Sequence, residues 1–295
     1  MSRSFERQQT ELTVLYERFL RQQSPEMQER CVAVNRDRAR NLRRLQKRGV
    51  CTVADLLEQL PRLPGALTQF AIDLISILQI HRAASVLLEM MSDRNGRTAY
   101  AAALGFLKSG RKVTQVFLEI ARRELTSDSP DRDWLEAVIH GLGSSDDPRA
   151  ADVLVTIFER LDLPGWLRGD AADKLGCNQF ISDRRTRLFR RCHDTAIHGL
   201  DENSIDVQFW SMYLIGSLSS DGFRRRHSTP DDFRSVLPRL RDIAANDHRL
   251  APGYWWPLSA EAEDVICCIK KGHWPNPDAA DRWMSNTKRG EWNRG

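Results

Sequence analysis

Four segments of this chain end in an apolar residue followed by glycine: Leu104-Gly105, Leu142-Gly143, Leu175-Gly176 and Ile215-Gly216. The glycines are 38, 33 and 40 residues apart. Four residues before each glycine stands Ala101, Ile139, Ala172 or Met212, and five before stands Tyr100, Val138, Ala171 or Ser211. On a helix, the positions four and one before the glycine share a face. The glycine is expected to let the chain turn out of the helix. A second amphipathic stretch follows each one after a short loop. A two-helix unit of this length cannot bury its apolar face alone and must stack on the next unit.

The stretches between glycines read as helix. Val113, Val116, Phe117, Ile120 and Ala121 form one stripe, and Val153, Leu154, Ile157, Phe158 and Leu161 form another. Start signals recur at Ser24-Pro25-Glu26, Thr52 to Asp55, Asp147-Pro148, Ser182-Asp183 and Thr229-Pro230-Asp231-Asp232. Alternating strand patterns are almost absent, so the fold class is all-α. Short connections make neighbouring helices antiparallel.

Composition narrows the function classes. Over 295 residues, 41% are hydrophobic and 28% charged, enough to bury a core. The apolar run Phe70 to Ile80 contains Asp73 and Gln79, so no membrane span is expected. No apolar stretch follows the first residues, and no signal peptide is expected. The cysteines at 31, 51, 177, 192, 267 and 268 lack Cys-x-x-Cys spacing. They read as reduced, buried thiols of a cytoplasmic protein. A zinc set of Cys192, His193 and His198 has the wrong spacing and no completing pair, so no metal is expected. No nucleophile elbow, metalloprotease helix, phosphate loop or calcium loop is present, so neither an enzyme nor a cofactor is expected. Gly141-Leu142-Gly143 is half of a dinucleotide fingerprint, but it closes a helix.

The segments Leu163 to Gly176 and Ile205 to Gly216 resemble the first helix of bacterial HEAT-like (PBS-lyase-type) repeats. Ser145 to Leu154 matches the loop and second-helix start, and Ile243 to Ala262 resembles a closing unit. The resemblance covers residues 64 to 271 and implies a right-handed α-α superhelix, a solenoid of stacked antiparallel helix pairs. Residues 1–63 would then be a basic helical N-terminal cap and residues 272–295 a C-terminal cap or tail. Such repeats serve as scaffolds, inhibitors, lyase subunits and DNA glycosylases, so the resemblance bears on fold more than on activity.

Charge points to a binding face. The net charge of +4 conceals a segment of +6 over residues 1–50, densest from Arg36 to Arg48, and one of −7 over residues 128–173. Arg184, Arg185, Arg187, Arg190 and Arg191 then crowd one helix, and Arg224 to Arg226 form a loop cluster. Second helices line the concave face of such solenoids, so Arg184, Arg187 and Arg191 are expected to project towards a partner, helped by Arg224 and Arg225. Trp134, Trp166 and Trp210 recur near helix starts and are expected to pack between units. Trp255 and Trp256, side by side before Pro257, are candidate contact anchors. Trp274, Trp283 and Trp292 are expected to cover the end of the array.

These features predict a non-enzymatic interaction scaffold or adaptor. Its partner would be a protein with an acidic patch, an immunity-type inhibitor of a toxin being one form of that role. The alternative is a nucleic-acid partner, in the manner of the HEAT-like alkylpurine DNA glycosylases. The acidic segment from Asp128 to Asp173 opposes it. A chromophore-lyase-like scaffold is a third reading, for which no acid and nucleophile pair stands out.

Overall fold

The computed structural model describes residues 80–94, 96–107, 111–176, 178–181, 183, 185–220, 230–250 and 257–275. It also describes Leu60, Thr68, Ala71, Ile72 and Ile75. The described chain is all-α. Its helices are α1 (Ala84–Met90), α2 (Arg97–Phe106), α3 (Arg111–Leu125), α4 (Arg132–Leu142), α5 (Pro148–Glu159), α6 (Gly165–Gly176), α7 (Arg187–Gly199), α8 (Ile205–Ser219), α9 (Leu237–Asn246) and α10 (Leu258–Lys271). Among the described residues there is no strand, only one isolated bridge between Leu250 and Pro257. None of their helices is long and apolar enough to cross a membrane. The chain divides into two compact units between Gly141 and Leu142, inside the span expected to form one array. Of the expected caps, all of residues 1–63 except Leu60 and most of 272–295 lie outside the described residues, as do Trp283 and Trp292.

In the first unit α1 packs on α2, and Arg97 at the start of α2 donates from Nε to the Met91 carbonyl at 3.0 Å. The Arg97 guanidinium lies over the Trp134 ring at 3.8 Å, with Arg123 at 5.6 Å from the same ring. Glu124, buried at the end of α3, accepts from the Asp131 amide at 2.9 Å just before α4. That bond satisfies one of the orphan donors at the start of the next helix.

The second unit is two layers of paired helices. The pairs are α5 with α6, α7 with α8, and α9 with α10; α6, α8 and α10 lie in succession in one layer, while α5 and α7 are neighbours in the other. Capping explains the starts. Asp147 accepts from the Arg149 amide with Pro148 in the first turn, Thr186 from the Phe189 amide, and Ser204 from the Val207 amide. Two start signals move. Asp183 shapes the turn before α7 by accepting from the Arg185 amide, and Thr186 is the true cap. Thr229 to Asp232 opens a 3-10 turn, Pro230–Val236, that leads into α9. Leu161 also leaves its stripe. Helix α5 stops at Glu159, Arg160 is extended, and Leu161 is 78% exposed in the turn.

The recurrent positions are core. Ala101, Leu104, Ile139, Leu142, Ala172, Leu175, Met212 and Ile215 are all buried, as are Tyr100, Val138, Ala171 and Ser211. Gly143 stands in the turn just past α4, as expected, but the other recurrent glycines do more than end a helix. Gly105 and Gly216 lie inside α2 and α8, Gly176 is the last residue of α6, and only Gly272 has a left-handed φ among the described residues. They let helices approach closely. A Cβ on Gly176 would stand 2.5 Å from the Tyr213 ring, one on Gly169 2.8 Å from Trp210, and one on Gly216 2.5 Å from Trp274. Gly165, Gly169, Ala172 and Gly176 thus make a flat face on α6 against which α8 lies, and α8 is buried around most of its circumference. Tyr213 and Trp274 stack there, with centroids 5.7 Å apart.

One carboxylate on α10 works against the fold at neutral pH. Partial burial, aided by Glu263, pushes Asp264 up to about 6. Its folded value lies above its unfolded one, so its favourable contribution is complete below pH 4 and is lost as pH rises through about 6. Asp264→Asn is expected to stabilise the protein at pH 7.5, by about 1 kcal/mol after solvent screening. The gain should vanish near pH 4. Thermal unfolding of both proteins across that range checks it, and an equal difference at both ends would refute it.

Candidate partner-binding face

Helix α7 is strongly amphipathic. Phe189, Cys192, Ala196 and Gly199 are buried, and Arg187, Arg190, Asp194 and His198 form the exposed stripe at helical spacing. Cys192 is wholly buried, and burial pushes its thiol up. It behaves as a core residue and not as a nucleophile. His193 sits between the rings of Phe189 and Phe233, with centroids at 5.7 and 4.7 Å, and its Nδ1 is 2.9 Å from Asp194. Among the described residues no cluster of His, Cys, Asp and Glu could hold a metal ion.

The arginines of this region divide into two kinds. Arg191 was expected to face a partner, and here the geometry corrects the expectation. Its Nη1 reaches Asp152 at 2.5 Å, its Nη2 reaches Glu159 at 2.5 Å and Thr156 at 3.0 Å, all on α5. Only a quarter of its side chain is exposed. Arg191 is a clamp between helix pairs, used up by the fold. Arg185 folds back onto Asp183. Arg187 and Arg190, by contrast, are exposed and have no ion pair among the described residues; Arg190 only reaches the Arg185 carbonyl at 3.3 Å. Arg184, Arg224, Arg225, Trp255 and Trp256 lie outside the described residues. Of the three recurrent tryptophans, Trp210 packs against α6 within the second unit, Trp134 is half-buried, and Trp166 is 39% exposed.

A second set of residues carries the turns and was not singled out from sequence. Arg97, Arg168 and Gln208 each stand eight residues before a recurrent glycine. Each donates to a carbonyl at the end of the preceding helix: Arg97 to Met91, Arg168 to Phe158 at 2.9 Å, and Gln208 to Leu200 at 2.8 Å. These are orphan carbonyls of helix C-termini, supplied with donors by the next helix. Arg168 also grips Glu202 with both Nη atoms, at 2.6 and 2.5 Å, and Gln208 accepts from Arg249 at 2.9 Å. The turns of successive pairs are therefore cross-tied along one edge. The remaining recurrent glycine, Gly143, has Leu135 at this position, so the repeat is broken and easily missed.

At the end of that edge lies an open cleft of about 620 Å³, lined by Arg239, Asp242, Ile243, Asn246, Asp247, His248 and Arg249. Its charges neutralise one another. Arg239 pairs with Asp201 at 2.9 Å and Asp242 at 2.8 Å, and Arg249 pairs with Asp247 at 2.6 Å. Arg249 holds the Asp247 carboxyl below its ordinary range. This mutual pairing leaves no charge of either sign in excess among the lining residues. No known family model matches the chain, and no curated protein is significantly similar to it.

Proposed function

We propose that this protein is a non-enzymatic scaffold of HEAT-like helix pairs that binds another protein on the outer face of α7. One contrast carries the reading: the arginines around α7 that serve the fold are tied to carboxylates, whereas Arg187 and Arg190 on its exposed stripe are not. The clamps Arg191 to α5 and Arg168 to Glu202 support it further, because they hold neighbouring pairs in register. A contact surface held in register loses little conformational freedom on binding. An immunity-type inhibitor, which covers the working surface of another protein, is one role such a face suits.

In-cell crosslinking followed by purification tests this reading. The wild-type chain should retain a protein in stoichiometric amount, and the variant Arg187→Glu/Arg190→Glu should lose that same protein. Recovery of nucleic acid in its place, or equal retention by both chains, would reject it.

A further inference from the structure

We draw no further inference here: the strongest candidate, the open cleft at the end of α9 lined by Arg239, Asp242, Asn246, Asp247, His248 and Arg249, has its arginines and carboxylates already held in ion pairs of the fold, and nothing in the structure shows what fills it.

Discussion

Arg168→Met should destabilise the second unit by about 2–3 kcal/mol, a loss of roughly 5–10 °C in Tm. Arg168 has 4% of its side chain exposed and makes three bonds: one from Nε to the Phe158 carbonyl, and one from each Nη to Glu202. Methionine keeps the apolar stem packed, so the change isolates the guanidinium. It leaves a buried carbonyl without its donor and a carboxylate without its partner. Glu202 is a quarter exposed and recovers some hydration, which sets the value below the cost of breaking a fully buried pair. Arg168→Lys should be nearly as damaging, because one ammonium cannot serve a carbonyl and a two-oxygen fork together. Glu202→Gln should cost less, about 1 kcal/mol, since the carbonyl bond survives. The double variant should lie close to Arg168→Met alone, because both changes remove one network. Thermal unfolding followed by circular dichroism checks the series. A wild-type Tm for Arg168→Lys would show that the cross-tie is incidental.

The reach of sequence reasoning here follows from what periodicity reports. Apolar spacing identifies the face a helix buries, so the positions one, four and five before each glycine were legible as core, and all twelve are buried. Spacing does not say what a small residue meets. Gly216 therefore reads as a helix end when it lies inside α8 as a notch for Trp274, and Gly176, which does end α6, gives no sign that it is also a notch for Tyr213. The same limit applied to charge. Arg187 and Arg191 are four apart and share a face on α7, yet Asp152 and Glu159 on α5 claim one and not the other. Only a long-range pairing decides that, and no single-helix pattern contains it. Arg97, Arg168 and Gln208 did leave a signal, a polar residue eight before the glycine. Its chemistry varies between guanidinium and amide and lapses at Leu135. What these residues share is a donor and a helix-end carbonyl, and that is visible only in three dimensions.

Gly105→Ala should be destabilising even though alanine is the better helix former. In an exposed helix interior the change would gain about 1 kcal/mol. Here the new Cβ would stand 2.8 Å from the His140 carbonyl oxygen and 3.0 Å from that of Gly141. Both are backbone atoms of α4, held by that helix, and cannot swing aside as a side chain can. Relief requires α2 and α4 to separate by several tenths of an ångström along a buried contact, and such overpacking costs about 1–3 kcal/mol. Taken against the helical gain, the expected result is a net loss of about 1–2 kcal/mol. Gly176→Ala is the informative comparison. Its first obstacle is the edge of the half-buried Tyr213 ring, and the next is the same ring at 3.0 Å. A ring that is not fully enclosed can turn about its side-chain torsions, so the clash is relieved at small cost and the two terms come close to cancelling. Urea unfolding of the two variants should place Gly105→Ala clearly below wild type and Gly176→Ala near it. The reverse order would mean that these glycines are kept for chain flexibility and not for the approach of one helix to the next.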